Sequence, residues 1–577
     1  MGVSYEGIWP WLMIQGPPPS AELLQVWMEE YLSLIKKYRN HPSIIIWDVN
    51  NEMNFGSFDQ NNPVLLKEKW IVLDKMIRAI RQLDPTRPVV AYSGYVRREA
   101  LKGFRQVVEP NNIDDGDIDD AHRYYGWYNP TFFHLYDGQY GHGLFTPGRP
   151  LISEEMGTGY PNNDDGHPCR HYLFNHYTPQ SLVGDDAYEN RDPAIFLTRQ
   201  AFMTKELGET LRRTGRNNTA GVMHFAYFTW FKTPWSAEHI KPQPGYHAMM
   251  KVMQPVLISA ELFGRHFYSG STVRRRVCII NDAENYAATS AGTLTWEFTH
   301  GTVVMAKGTL PTPAVGYYQN HWMDVDFIIP RDLPNPRMNV ELVLRLTANG
   351  TTISENIYDI VLATPAWANG AMRKRTAVFL VDPHQRSAAI LSGIKTKVIR
   401  SVSAAHSGSL IIIGDPENFA RRAADVEQLR EFLRHGGNVL MLHPGHVLPR
   451  LFPEQVHGFQ AKQGEIVTLR AWTSPVFSGI QPLDPAWFEV GGRHVPVACT
   501  GVHHVAEDRK EVTALAAQCD IHGYLKKPTD VIKVSGSPLV ELRIGKGRLL
   551  ASELYLEAGK VDPIARRLLT NILAYLV

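Results

Sequence analysis

The chain has 577 residues, 44% hydrophobic and 20% charged, which is enough for about three to four domains with cores of their own. Lys and Arg number 59 against 58 Asp and Glu, so the net charge of +1 points to neither nucleic acid nor an anionic membrane as partner. No apolar run reaches the roughly 18 residues of a membrane span, no signal peptide opens the chain, and Cys169, Cys278, Cys499 and Cys519 are too scattered for a disulfide framework or zinc site, so no metal or cofactor is expected.

In chain order, residues 3–8 read as a strand, followed by a helix over Ala21 to Lys37. Pro17-Pro-Pro-Ser20 stops and caps it, and Leu24, Trp27, Met28, Tyr31 and Ile35 recur at helical spacing. Asn40-His-Pro-Ser-Ile-Ile-Ile-Trp-Asp-Val-Asn-Asn-Glu52 comes next. Its apolar run from Ser43 to Val49 suits a strand covered on both faces in a parallel sheet, and such strands present chemistry at their C-terminal tips. Asn51 and Glu52 stand at that tip, an amide for substrate hydroxyls beside an acid for proton transfer.

Residues 88–93 and 119–125 are further strands, the second within Asp119-Asp-Ala-His-Arg-Tyr-Tyr-Gly-Trp-Tyr128. Arg149-Pro-Leu-Ile-Ser-Glu-Glu-Met-Gly157 repeats the pattern of a short apolar strand, Leu151 to Ser153, that ends in acids and a glycine turn. Two strand-end carboxylates about a hundred residues apart suit the pair of a retaining glycosidase, which needs them roughly 5–5.5 Å apart across the scissile bond. Gly221-Val-Met-His-Phe-Ala-Tyr-Phe-Thr-Trp230 reads as one more strand, with Trp230 at its tip.

Asn40-His-Pro-Ser-Ile-Ile-Ile-Trp followed by Asn51-Glu52 resembles the acid/base signature of glycoside hydrolase family 2, the family of β-galactosidases, β-glucuronidases and β-mannosidases. The resemblance implies a (β/α)8 TIM barrel in which Glu52 is the general acid/base at the end of the fourth strand. It places the nucleophile at the end of the seventh, in a Pro-x-x-x-Ser/Thr-Glu-Tyr/Phe-Gly pattern. Counting from Pro150 or back from Gly157 selects Glu155, whereas counting from Ser153 selects Glu154; two anchors against one favour Glu155. The Arg-Tyr-Tyr-Gly-Trp-Tyr run resembles the sixth strand of β-glucuronidases and implies that Tyr124 hydrogen-bonds the nucleophile, that His122 binds a sugar hydroxyl and that Tyr128 lines the site. By the same resemblance Trp230 is a platform for the sugar face. The Asn-x-Lys triplet with which glucuronidases read the uronic carboxylate does not follow Trp230, which favours a neutral glycoside.

Six β/α units are readable where such a barrel has eight and about 250 residues. The family's N-terminal sugar-binding and immunoglobulin-like domains are not readable either, so the expectation is the C-terminal part of a longer enzyme. A homo-oligomer or a complementing N-terminal chain would cover the open strand edges, and the cellular compartment stays open.

After a barrel over residues 1–260, short alternating stretches such as Val340-Glu-Leu-Val-Leu-Arg-Leu346 predict an antiparallel, immunoglobulin-like β-sandwich over 261–364. Arg274-Arg-Arg276 reads as its solvated face. From 365 to 577 the pattern is α/β: buried strands over 377–381, 410–414 and 438–442, a helix over 423–434, and a closing strand and amphipathic helix over 545–552 and 562–576. This resembles the class I glutamine amidotransferase-like domains appended to some large β-galactosidases. Neither Cys499 nor Cys519 sits in a Gly-flanked elbow, so a catalytically silent domain is expected. Together these features imply a retaining exo-β-glycosidase acting on a β-linked oligosaccharide, β-galactosidase-like first. β-Glucuronidase or β-mannosidase activity, or a non-catalytic carbohydrate-binding remnant, are the alternatives.

Overall fold

A computed structural model describes residues 2–4, 7–8, 11–12, 18–53, 62–124, 146–157, 161–166, 193–213, 220–225, 230–262, 264–370, 377–406, 408–489, 497–519 and 534–577. The chain divides into two compact units, the first made of Met1–Thr158 and Glu206–Tyr227, the second of Gly159–Lys205 and Phe228–Val577. No helix among the described residues is long and apolar enough to cross a membrane.

The first unit is built on short parallel strands. β1 (Gly2–Ser4), β2 (Ile46–Asp48) and β3 (Val89–Val90) form one sheet in that order, with Gly2 opposite Ile46 and Trp47 opposite Val89. β4 (Asp119–Asp120), β5 (Arg123–Tyr124), β6 (Leu151–Gly157) and β7 (Gly221–His224) form a second, with β6 central. The single strand expected over 119–125 is therefore two, and those expected from Ser43 and up to Trp230 begin only at Ile46 and end already at His224. β6 runs on past Ser153, where its strand was expected to end.

Alternation along these strands separates two apolar layers. Ile46, Val90, Ile118 and Ile152 pack together, one residue from each of four neighbouring strand positions, which is the layered filling of a barrel interior. Trp47, Val49, Val89 and Ala91 turn the other way, against α1 (Ala21–Tyr38) and α2 (Pro63–Leu83). The Ser20 side chain accepts from the Leu23 amide to start α1, and Trp27, Tyr31 and Ile35 form its buried stripe at intervals of four. Each such buried side chain contributes about 1.5–3 kcal/mol of apolar transfer free energy. α3 (Pro193–Arg213) precedes β7.

In the second unit, β8 (Phe231–Lys232) pairs with β9 (Lys241–Pro242), followed by α4 (Pro244–Val252). Two sheets then enclose one core. β10 (Val256–Ala260), β12 (Thr272–Asn281) and β15 (Gln319–Ile328) make the first. β11 (His266–Tyr268), β13 (Gly292–His300), β14 (Val303–Thr312), β16 (Arg337–Ala348) and β17 (Thr351–Ala363) make the second. Arg274 and Arg276 on β12 are solvent-facing, but Arg275 points the other way and pairs with Glu489, so the run is not one solvated face.

A seven-stranded sheet follows, in the order β19 (Lys397–Val398), β18 (Val378–Val381), β20 (Leu410–Ile413), β21 (Asn438–Leu442), β29 (Gly547–Ser552), β28 (Leu539–Ile544), β25 (Val512–Ala514). Its first five strands are parallel and the last two pairings antiparallel. Leu410, Ile412, Leu440 and Leu442 face α6 (Pro563–Leu576), while Ile411, Ile413, Val439 and Met441 face α5 (Ala423–Arg434), as the two-residue period of a strand requires. Smaller ladders join β22 (Val456–Gly464) to β24 (Cys499–Val505), and β23 (Thr468–Leu469) to β26 (Ala516–Cys519) and β27 (Val534–Gly536).

Candidate active site

Beyond β2 the chain is held by backbone bonds to the segment beyond β3. The Ser93 amide donates to the Asn50 carbonyl at 2.9 Å, and the Glu52 amide donates to the Ser93 carbonyl at 2.9 Å. This pairing holds Glu52 at φ 46°, in the left-handed region, and turns its largely buried carboxylate toward the ends of β4 and β6.

Asp120, fully buried at the end of β4, accepts from the Gly94 amide at 2.7 Å and from the Ser93 hydroxyl at 3.1 Å. Two residues on, His122 lies against Gly94, where a side chain would stand 3.3 Å from the imidazole. Gly94 also has φ +84°, so both backbone and space call for glycine there.

β6 brings the second carboxylate. It pairs Ile152 with Asp120 and Met156 with Arg123 on one side, and Ser153 with Val222 and Met156 with His224 on the other, so it carries one residue more than each neighbour at Glu154–Glu155. Such an insertion re-aims the side chain beside it. Arg149 anchors the entry to this strand, its Nε donating to Asp119 at 2.7 Å and an Nη to the Gly116 carbonyl at 2.6 Å.

The result is a cluster of three groups, one beyond β2, one beyond β4 and one within β6. His122 Nδ1 lies 3.2 Å from Glu52 Oε1 and 3.2 Å from Glu155 Oε2, and its Nε2 lies 2.7 Å from Ser93 Oγ. The facing side-chain atoms of Glu52, His122 and Glu155 all fall within 4.8 Å of one another. Nδ1 thus faces both carboxylates at once. Burial opposes charge on this imidazole, but the hydrogen bond to Glu52 and the charges of Glu155 and Asp120 outweigh it and raise its pKa to about 9. His224, at the end of β7, shows the opposite case: burial alone brings it down to about 4 and leaves it neutral.

The other expected site residues are placed as follows. Asn51 bridges to Ser93, and its Oδ1 is buried and meets no donor among the described residues. The Tyr124 backbone pairs with Gly157 on β5, while its side chain, the Glu154 side chain and all of Tyr128 lie outside the described residues. Trp230 lies in the second unit, past the end of its strand, with its ring 6.2 Å from that of Tyr246. Ser93 and Asp120 were missed from sequence. Asp120 stands two residues before His122 and Ser93 ends an expected strand, but no local pattern says that they meet.

Residues 14–179 match the family model described as glycosyl hydrolases family 2, TIM barrel domain. No curated protein matches the chain. Among solved structures the chain is similar to a β-D-mannosidase from Dictyoglomus thermophilum, at 16% identity and TM-score 0.36, covering 59% of this chain and 41% of that one. For an exo-chitosanase of Amycolatopsis orientalis the figures are 15%, 0.37, 62% and 41%. For a Bacteroides uniformis β-glucuronidase they are 14%, 0.29, 60% and 38%. The chain thus spans about two fifths of the length of these proteins. Asn51, Glu52, His122 and Glu155 all lie within the segment that matches this family model.

Proposed function

We propose that the protein is a retaining exo-β-glycosidase in which Glu52 is the general acid/base and Glu155 the nucleophile. The observation that carries this reading is the spacing of the two carboxylates. Their facing oxygens lie within 4.8 Å, close to the roughly 5–5.5 Å of retaining enzymes and well short of the about 6.5–9.5 Å that leaves room for an inverting water. Glu52 protonates the leaving oxygen as Glu155 attacks the anomeric carbon; Glu52 then takes a proton from the water that opens the ester. The buried Asn51 amide oxygen supplies an acceptor for a sugar hydroxyl, and Tyr124 and Tyr128 are proposed as further substrate contacts. A neutral glycone, galactoside first, fits the lack of an Asn-x-Lys triplet after Trp230.

A 2-fluoro glycoside tests this. It should label a peptide through Glu155, and a slow aryl β-galactoside should give a product of retained configuration. Label on Glu154 would reassign the nucleophile, and an inverted product would refute the mechanism. Residues 365–577 are proposed to be a non-catalytic amidotransferase-like domain. The turn after β21 carries His443, and burial pushes the Cys499 thiol up to about 12, leaving it protonated and unreactive.

A further inference from the structure

The partners around His122 fit a hydrogen on each ring nitrogen when Glu52, Asp120 and Glu155 are ionised. The Ser93 hydroxyl gives its hydrogen to Asp120 at 3.1 Å, so at 2.7 Å from His122 Nε2 it acts as acceptor, and that nitrogen is a donor. Nδ1 faces Glu52 on one side and Glu155 on the other, and a lone pair there would point at two anions. With both glutamates ionised, both nitrogens therefore carry hydrogen. The ring is an imidazolium held by Glu52 from the β2 end, Asp120 and Ser93 from the ends of β4 and β3, and Glu155 from β6.

We propose that His122 stores the proton that Glu52 delivers to the leaving group, so that Glu52 and His122 together form one acid; this rests on the glycosidase reading above. The charges balance. Imidazolium with two carboxylates carries the same net charge as neutral imidazole with Glu52 protonated and Glu155 ionised, which is the state that glycosylation needs. Moving the Nδ1 proton to Glu52 Oε1 converts one into the other without uptake from solvent. Glu52 then passes that proton to the glycosidic oxygen as the bond to the anomeric carbon breaks and Glu155 Oε2 bonds to that carbon. In the ester, Glu155 has lost its charge, His122 is neutral with no hydrogen on Nδ1, and the Glu52 carboxylate, having given up its proton, is free to act as base. The attacking water gives its proton to Glu52, which returns it to Nδ1. His122 contacts the reacting oxygens of both carboxylates, Glu52 Oε1 and Glu155 Oε2, each at 3.2 Å from Nδ1, and it hands its proton on through Glu52.

Two measurements on the full chain test this. With histidine labelled at Cε1, the resonance lost in His122→Asn should stay in its imidazolium form to about pH 9, and Glu52→Gln should lower that titration by about one unit or more. The upper pH limb of kcat/KM on an aryl β-glycoside should lie in the same region. His122→Asn should bring that limb down by about two units, so that its rate loss is at least about tenfold greater at pH 8 than at pH 5. A loss equal at all pH values would mean that His122 only shapes the site and would overturn the proposal, as would a His122 titration near 6.5 indifferent to Glu52→Gln. If the wild type hydrolyses none of the galactoside, glucuronide and mannoside substrates at any pH, the glycosidase reading falls and delivery to a leaving group falls with it, whatever the titration shows.

Discussion

Glu52 is a non-glycine residue held at φ 46°, a conformation that costs an L residue about 1 kcal/mol or more and persists where surrounding bonds over-determine it. Here those bonds are the paired backbones of Asn50 to Glu52 and Ser93. Glu52→Gly and Glu52→Ala both remove the carboxylate, yet only glycine adopts this φ freely. In urea denaturation the glycine variant should be the more stable of the two by about 1 kcal/mol, and equal stabilities would show that the turn relaxes. Both should lose activity on poor leaving groups by at least about a hundredfold and far less on activated ones, since proton donation matters only when the leaving oxygen is basic. Equal losses on both substrate types would remove Glu52 from the acid role.

At the scale of elements, strand ends do the positioning. The extra residue in β6 is the device that sets Glu155 beside His122, and it is why counting along the strand could not by itself separate Glu154 from Glu155. A second strand end carries an unusual turn: after β21 the chain passes through His443 at φ 46° and Gly445 at φ 52°. Glu553, which follows β29, accepts from the Gly445 amide at 2.7 Å, and its oxygens lie 3.1 Å from His503 Nε2 and 3.5 Å from His443 Nδ1. Burial works against charge on both sides. The histidines nevertheless hold Glu553 down to about 2, and Glu553 with Glu557 raises His443 to about 10. The lowered carboxylate stabilises the fold above its unfolded pKa of about 4.3, and this is lost as pH falls toward 2. The raised imidazole stabilises below its unfolded pKa of about 6.5, and this is lost as pH rises toward 10. The second unit should therefore be most stable between about pH 4.5 and 6.5. Glu553→Gln should cost about 3–5 kcal/mol and flatten that profile in a pH series of urea melts; an unchanged profile would show that the cluster contributes nothing.

At the scale of the whole molecule, the sandwich and the seven-stranded sheet belong to one compact unit. His266 Nδ1 on β11 lies 2.9 Å from Asp562 Oδ2, the Tyr268 hydroxyl donates to the Gly559 carbonyl at 2.7 Å, and Arg337 on β16 pairs with Asp484 at 2.7 Å. Asp562 also caps α6 by accepting from the Ile564 and Ala565 amides. Three buried or half-buried polar links of this kind make separate unfolding expensive. Hydrogen exchange should then find amides of β16 and of β20 opening at the same free energy, and Asp562→Ala should lower both by about 2–4 kcal/mol. A fall confined to β20 would show that the two layers open independently.

The composition showed a chain of nearly balanced charge, and local patterns located most of what is local. Ser20 as a cap, the stripe of Trp27, Tyr31 and Ile35, and the buried runs at 410–413 and 438–442 follow from periodicities that chain geometry imposes. Asn51 and Glu52 were legible because a strand and its C-terminal tip are contiguous in sequence. Only the tertiary structure put Glu52, Ser93, Asp120 and Glu155 around the His122 imidazole, because they come from beyond β2, beyond β3, the end of β4 and within β6, and parallel strands meet only through long crossovers. Trp230 was expected at a strand tip by its apolar run, but β7 ends at His224 and the residue lies in the other unit. Length of an apolar run records burial, whereas where a strand stops depends on which partner amides and carbonyls the fold brings to it.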